Sequence, residues 1–297
     1  PYVQLREGVG HSSKSDEQDG HMGLPQGDLW HQGVELLGNV PVAAAILGSV
    51  AGWPAAAALL SHFTVMVKGT SQIFPSGPPV VERAIGEKLS KEDLGGWDMH
   101  VVQSGQIDNV ADDEDDAFQQ IRDFLSYLPD TVRGVAARVD TGDDPERRPQ
   151  ELLDIVPTNR RQGYDARALI RHVVDNGDFM EVQPRNAQNI IIGLGRLDGH
   201  SVGVVAQQPA FLAGALDVNA SLKAARFVRF CDAFNIPILT FVDVPGFLPG
   251  TEQEHGGIIK HGAKLIYAYA EATVPKVSVL TRKAYGGGYI VMGSKHL

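Results

Sequence analysis

The sequence predicts an α/β fold made of two related domains, and three observations support this prediction. The 297 residues are enough for about two domains. Apolar runs typical of strands alternate with helix-like runs along the chain. A Val-Pro pair at positions 40–41 and Gly52 recur 234 positions later, as the Val-Pro pair at 274–275 and Gly286. A repeat this long indicates two domains rather than a solenoid of short repeats.

The later copy of the repeat predicts a buried strand, a glycine turn and the start of a helix. The strand is indicated by the apolar residues at 277, 279 and 280, and the helix by the apolar run at 289–292. Between them lie Gly286, Gly287 and Gly288, which we call the second glycine turn. Glycines let a ligand approach the backbone, and the first N–H groups of a helix lack partners within it. The pattern therefore favours a site for negative charge, although a tight turn without a ligand would have the same sequence.

The earlier copy lies in the uncharged segment 40–60, after a helix-like run at 29–37. This segment is long enough to span a bilayer. Alanine dominates it, however, and it is interrupted by Pro41, Gly48, Gly52 and Pro54. We therefore predict a strand, a turn and a buried helix here, with Gly52 and Trp53 as the first glycine turn, and no membrane association.

The rest of the first half predicts short elements and few candidate sites. His100 lies between glycines, where we expect it to anchor a loop by hydrogen bonds rather than to act in catalysis. His11 and His21 match no metal-ligand spacing, and residues 1–20 are expected to be a strand followed by a polar loop. The other predicted elements are strands at 63–67 and 71–74 and a helix at 80–85.

Five consecutive acidic residues at 112–116 resemble a metal site but have a simpler interpretation. They directly precede an amphipathic run at 117–128 that ends before Pro129. Because acidic side chains stabilise the positive end of a helix, the run predicts a helix start and no metal.

The charged, aperiodic segment 130–157 is the predicted boundary, so we assign residues 1–140 and 141–297 to an N-terminal and a C-terminal domain. The Asp198-Gly199 pair predicts a hairpin between two of the strands that follow. The loop at 243–250, which contains Phe247, follows a buried strand, the usual place for ligands in α/β sheets. The predicted elements are helices at 166–174, 222–234 and 256–269 and strands at 179–182, 189–193, 201–205 and 238–242.

Composition narrows the classes of function. The formal net charge of -10 and the absence of a basic stripe argue against nucleic acid as a partner. Cys231 is the only cysteine, which excludes a disulfide or a cysteine-based metal site within the chain and is typical of a reducing compartment. We expect a cytoplasmic or mitochondrial-matrix protein.

Four long motifs resemble the carboxyltransferase β subunit of biotin-dependent acyl-CoA carboxylases, of the propionyl-CoA carboxylase type. The resemblance is strongest over residues 189–297, weaker over 59–129 and loose before residue 29. The motifs are FVRFCDAFNIP at 227–237, FVDVPGFLPGT at 241–251, HGGIIKHGAKL at 255–265 and TRKAYGG at 281–287.

The resemblance implies two crotonase-like (ClpP/crotonase) domains with βαβ spiral cores, in a homo-oligomer that is commonly a hexamer. It also implies that acyl-CoA binds the N-terminal domain of one subunit while carboxybiotin approaches from the C-terminal domain of another. Family members are longer, and this chain stops soon after its last predicted helix begins, so we expect a piece truncated at both ends.

The implied chemistry uses two oxyanion holes and no side-chain nucleophile. Gly287 and Gly288 would donate to the biotin ureido oxygen, beside Gly286 and Phe247. Gly52 and Trp53 would donate to the thioester oxygen and stabilise the enolate. The chain has neither an ATP-grasp signature nor a biotinyl Met-Lys-Met motif, so a separate biotin carboxylase and biotin carboxyl carrier are implied partners.

Two positions depart from the family pattern. Family members often have Gly-Gly where this chain has Gly52 and Trp53, and propionyl-type members typically have Asp where it has Ile290. Trp53 adds bulk beside the thioester, and Ile290 would favour acyl groups longer than propionyl unless it is ordinary helix packing.

Other functions stay open at this point. The same pattern would suit methylcrotonyl-CoA carboxylase, a transcarboxylase or a biotin-dependent decarboxylase. A crotonase-type hydratase or isomerase would need an acid beside a glycine turn, and neither turn has one. A noncatalytic assembly subunit is the remaining alternative, suggested by Trp53.

Overall fold

The computed structural model describes residues 1–9 and 27–297. The predicted polar loop and the histidines at 11 and 21 lie outside the described residues. The chain divides into two compact units. Unit 1 contains Pro1–Ser126 and Asp130–Arg133, and unit 2 contains Tyr127–Pro129 and Gly134–Leu297.

Unit 1 is a parallel five-stranded sheet covered by helices. Its strand order is β1-β2-β3-β5, and β1 pairs along one edge of β2. β4 also pairs with β2, at residues 49–51, beyond the stretch at 43–46 that pairs with β3. The strands are β1 (Tyr2–Val9), β2 (Val42–Ala51), β3 (Phe63–Val67), β4 (Gln72–Phe74) and β5 (Asn109–Ala111). The helices are α1 (Gly27–Leu37), α2 (Trp53–Leu59), α3 (Pro78–Ile85), α4 (Lys91–Gly95) and α5 (Glu114–Ser126).

The uncharged segment of unit 1 forms the predicted strand, turn and helix. β2 is a central strand because its small apolar side chains pack on both faces, and residues 42–46 are fully buried. The acidic run is confirmed as the start of α5, where Asp113 accepts a hydrogen bond from the Asp116 N–H at 2.8 Å. Among the described residues, no group of three or more His, Cys, Asp or Glu could hold a metal ion.

Unit 2 is a mixed five-stranded sheet of order β10-β9-β8-β7-β6, parallel from β8 to β10 and antiparallel from β6 to β8. The strands are β6 (Phe179–Val182), β7 (Ile190–Leu197), β8 (His200–Gln207), β9 (Ile238–Val244) and β10 (Lys276–Ala284). The helices are α6 (Leu152–Ile155), α7 (Ala166–Val173), α8 (Val218–Ala233), α9 (Thr251–His255), α10 (Ile258–Glu271) and α11 (Gly286–Val291).

Most of the predicted elements of unit 2 are confirmed, and one helix begins later than predicted. The β7–β8 hairpin turns at Asp198 and Gly199, whose φ angles of 49° and 75° are left-handed. Asp175 accepts hydrogen bonds from both of their N–H groups, at 3.0 and 2.7 Å. The helix predicted at 256–269 is observed as α10, which begins two residues later because Gly257 has a left-handed φ of 80° and separates it from α9.

The prediction that the strand before the second glycine turn is buried is wrong. β10 is an edge strand that pairs only with β9, and Val277 is 58% exposed. Val279 and Leu280 are exposed as well. Branched apolar side chains mark a strand in sequence, but they do not tell an edge from the centre of a sheet.

The repeat read from the sequence is present in both units with the same spacing. β2 begins at residue 42 and β10 at 276, and the preceding helices end at 37 and 271. Gly52 and Gly286 both have left-handed φ angles, 73° and 53°. Of the helices that the structure describes, none has the length and apolar character needed to cross a membrane.

Candidate active site at the glycine turns

The second glycine turn connects the end of β10 to the first turn of α11. The Tyr285 N–H donates to the Val244 carbonyl at 3.2 Å, and the first helical hydrogen bond runs from the Tyr289 N–H to the Tyr285 carbonyl, also at 3.2 Å. The N–H groups of Gly286, Gly287 and Gly288 precede this bond, so they have no acceptor within the helix. Among the described residues, no side chain caps this helix. The turn thus presents three successive donors at the positive end of a helix.

The three glycines differ in their surroundings. A Cβ added to Gly288 would lie 2.9 Å from Gly246 Cα, so this buried glycine packs directly against the loop after β9. A Cβ on Gly287 would meet the nearest carbon of Phe247 at an ordinary 3.5 Å, and one on Gly286 would meet nothing within 4 Å. The turn is therefore fixed on its Gly288 side and open on its Gly286 side.

Phe247 lies between the two helices of the site. Its ring would be 2.6 Å from a Cβ on Gly262 of α10, and it also faces Gly287. The loop that positions it is held by Leu216, whose N–H donates to the Gly246 carbonyl at 3.0 Å and whose carbonyl accepts from the Leu248 N–H at 2.8 Å. Phe247 thus forms a rigid wall beside the glycines.

Ile290 follows the glycines on α11 and is 49% exposed. Its contact with an acyl group stays a prediction, beside the alternative of ordinary helix packing.

A buried charged cluster lies at the ends of β9 and β10, just before the second glycine turn, and sequence reasoning missed it. Asp243 is the second-last residue of β9 with its side chain 1% exposed, and Arg282 near the end of β10 is 8% exposed. Arg282 Nη2 lies 3.0 Å from Asp243 Oδ2, and the Lys283 N–H donates to Asp243 Oδ1 at 3.1 Å. The charged residues are visible in the sequence, but their contact depends on the pairing of β9 with β10, which local pattern does not reveal.

Arg282 also binds the segment that precedes α7. Its Nη1 donates to the carbonyls of Asn159 and Gln162 at 3.0 and 2.9 Å. Tyr164 lies under the guanidinium, with its ring centre 5.2 Å from Arg282 Cζ, and its hydroxyl is 3.1 Å from Thr281 Oγ1. Burial raises the pKa of Tyr164 to about 12, so it stays protonated and acts as a packing and hydrogen-bonding group.

At the first glycine turn the Gly52 N–H already has an acceptor within unit 1, and its role as an oxyanion donor stays a prediction. The Gly52 N–H donates to the Phe74 carbonyl at 3.2 Å and thereby extends the β2–β4 pairing. Pro54 has no N–H, and the Ala55 N–H donates to the Gly52 carbonyl at 3.1 Å. Within the predicted pair, the Gly52 N–H therefore already has an acceptor in unit 1.

An apolar cavity of about 450 Å³ opens beside Gly52 in unit 1. His100 lines it, within a helical turn at Met99–Gln103 rather than the predicted loop. The anchoring role predicted for His100 is confirmed, since Nε2 lies 2.6 Å from the Ile73 carbonyl oxygen and Nδ1 lies 3.3 Å from Ser104 Oγ. Burial lowers the pKa of His100, opposed by its hydrogen bond to Ile73, so the ring is neutral at pH 7.

The family of the chain is shown by comparison with known proteins. The family model of the carboxyl transferase domain matches residues 1–297, so the chain belongs to this family. The chain is 52% identical over 271 residues to the propionyl-CoA carboxylase carboxyltransferase subunit of Haloferax mediterranei, a match that covers 91% of this chain and 52% of that protein. It is 51% identical to the methylmalonyl-CoA decarboxylase subunit alpha of Veillonella parvula, over 91% of this chain and 53% of that protein.

The fold is also similar to that of a solved transcarboxylase structure. The chain superimposes on one chain of the transcarboxylase 12S structure, which was solved with hydrolysed methylmalonyl-coenzyme A bound, with a TM-score of 0.87 and 46% identity. This match covers 90% of the chain and 52% of the transcarboxylase chain. The chain thus spans about half the length of these relatives, and the mixed α/β, crotonase-like fold is confirmed.

Proposed function

We propose that this chain is part of a carboxyltransferase that moves a carboxyl group between carboxybiotin and the α-carbon of an acyl-CoA. The observation that supports it best is the second glycine turn, with three successive N–H groups at an open helix start. The names of the relatives support the same reaction class, since they include a carboxylase subunit and a decarboxylase subunit.

Gly287 and Gly288 donate to the ureido oxygen of biotin in this proposal, and Phe247 and Gly286 line the approach. The turn suits this ligand because the side of Gly286 is open, while Gly288 packs closely against Gly246 and fixes the turn on the loop after β9. Carboxybiotin supplies the carboxyl group and, after releasing it, an acceptor for the α-proton. The glycine N–H groups stabilise the negative charge on the oxygen, and one such donor typically contributes about 100- to 1,000-fold in rate.

The acyl thioester binds at the first glycine turn in this proposal, beside Gly52 and Trp53. Breakage of the bond between biotin N1 and the carboxyl carbon would release CO2, and the N1 anion would accept the α-proton. The resulting enolate would then form its new bond to the carbon of CO2.

The reaction requires two further proteins, a biotin carboxylase and a biotin carboxyl carrier, and acyl-CoA as substrate. We also propose a homo-hexamer, following the assembly named for the transcarboxylase structure, and a cytoplasmic or mitochondrial-matrix location.

The experiment combines the purified chain with a biotin carboxylase, a biotinylated carrier, ATP, labelled bicarbonate and propionyl-CoA. We expect label in the acyl-CoA only when every component is present. Carboxylation by the chain with ATP but without the other proteins would contradict the proposal. Absence of transfer in both directions, tested in reverse with methylmalonyl-CoA and free biotin, would instead favour a noncatalytic assembly subunit.

A further inference from the structure

The cavity of unit 1 is closed at its floor and open at a polar rim. Ala55, Ile73 and Phe74 are buried and line its inner surface, whereas Pro75, Ser76 and Gln106 line it and are exposed. Its volume of about 450 Å³ falls within the range of small-molecule sites.

The inner surface offers nothing to a charged or strongly polar ligand. Among the described residues that line the cavity, none is Asp, Glu, Lys or Arg. His100, the most polar buried one, has both ring nitrogens within hydrogen-bonding distance of protein oxygens. A polar ligand would lose its hydration here without gaining partners, so an apolar ligand is favoured.

The position of the cavity selects among apolar ligands. Its rim includes Gly52, and the adjoining residues Ala55, Ala56 and Leu59 place one face of α2 along its wall. A chain that enters beside Gly52 therefore passes along this helix towards Ile73. This geometry suits a linear alkyl group attached to a head held at the first glycine turn.

We propose that this cavity binds the alkyl tail of a medium-chain acyl-CoA. The inference rests on the proposed function for the thioester head, and it adds the class of acyl group and the place where it binds. A methylene group occupies about the same volume as a water molecule, which is ~30 Å³. The cavity therefore has room for a chain on the order of ten carbons.

The test is calorimetric binding of CoA, propionyl-CoA and decanoyl-CoA to the chain. Each buried methylene is worth about fourfold in affinity. Burial of only two of the additional methylenes of decanoyl-CoA should therefore make it bind at least about tenfold more tightly than propionyl-CoA. Ala56→Phe, at an exposed position that lines the cavity, should abolish this difference and leave propionyl-CoA binding within about twofold of the unmodified chain.

The matched control is Ala57→Phe, one residue further along the same helix. Ala57 lines a different pocket, together with Trp53 and Leu60, so this variant should keep the preference for decanoyl-CoA. Met99→Trp fills the cavity from another wall and replaces Ala56→Phe should the latter not fold, as judged by circular dichroism.

Equal affinity for propionyl- and decanoyl-CoA in the unmodified chain would overturn the inference, as would a preference that survives both filling variants. Because binding is measured without carboxyl transfer, these outcomes are independent of the transfer experiment. Tail binding without transfer would contradict the proposed function alone, and transfer without a chain-length preference would contradict this inference alone.

Discussion

Gly287 and Gly288 are adjacent, but only one of them allows a clean test of the second glycine turn. A side chain on Gly288 would collide with Gly246, so its substitution would disturb packing as well as remove a donor. Gly287→Pro removes one N–H near the start of a helix, where proline is tolerated. We expect a loss of about 100- to 1,000-fold in transfer rate, with acyl-CoA binding retained.

Gly287→Ala is the matched control, because it keeps the N–H and its Cβ has room against Phe247. The carboxyl-transfer rates of Gly287→Ala and Gly287→Pro should therefore differ widely. Near-equal transfer by the alanine and proline variants, both with native circular dichroism, would show that this N–H is not part of an oxyanion hole.

Substitution of Ile290, which follows the second glycine turn on α11, tests whether this position sets acyl selectivity. Since the side chain is half exposed beside the glycines, we expect it to contact the substrate near the acyl α-carbon, where an acid would be unfavourable for a longer alkyl chain. Ile290→Asp should shift kcat/KM from butyryl-CoA towards propionyl-CoA. An unchanged order among acetyl-, propionyl- and butyryl-CoA would remove Ile290 from the site.

His100 should make the stability of unit 1 depend on pH. Its pKa in the folded state is lowered from about 6.5, so the unfolded chain binds the proton first as pH falls. The stabilisation from neutral His100 is complete above pH ~6.5 and decreases as the pH falls from there towards the folded-state pKa. Thermal unfolding from pH 7.5 to 5 should show this loss in the unmodified chain and a smaller one in His100→Gln; parallel curves would contradict it.

At the scale of elements, the buried pair of Arg282 and Asp243 joins the ends of β10 and β9. Removing one partner of a buried pair typically costs about 3–5 kcal/mol, because the other charge is left without compensation. Arg282→Ala should therefore lower the free energy of unfolding of unit 2 by this amount. Arg229, in an exposed pair with Glu271 at 3.6 Å, supplies the control, since Arg229→Ala should cost less than about 1 kcal/mol.

The comparison is made by urea unfolding of the two variants. A similar, small loss in both would mean that the Arg282 pair does not hold the strands together. A large loss of unfolding free energy in Arg282→Ala but not in Arg229→Ala would support the view that the charged cluster holds the strand ends before the second glycine turn.

The elements also show what the sequence could and could not predict. Strands, helices and the hairpin were predictable because periodicity and turn residues act locally, as at Asp198 and Gly199. The edge position of β10 was not, because it depends on which strands pair. The Arg282–Asp243 contact and the hydrogen bond from Gly52 to Phe74 were missed for the same reason, since each joins residues that are distant in the chain.

At the scale of the whole molecule, the internal repeat was the most informative signal. Two stretches separated by 234 positions fold alike in separate units, so their comparison predicted both glycine turns before any residue role was assigned. The repeat does not predict that the turns are equivalent. Proline at position 54 and glycine at position 288 occupy the same place in the two copies, and only the glycine has an N–H to donate.

This difference has a kinetic consequence for the proposed reaction. Because the Gly52 N–H is bound to the Phe74 carbonyl, we expect the acyl-side turn to stabilise the enolate less well than the glycine-rich turn stabilises biotin. Removal of the α-proton would then be the slowest step. Propionyl-CoA deuterated at the α-carbon should then show a primary isotope effect on kcat under saturating carboxybiotin. Equal turnover of the two isotopologues would place the slowest step elsewhere, and the deficit of one hydrogen bond in unit 1 would not govern the rate.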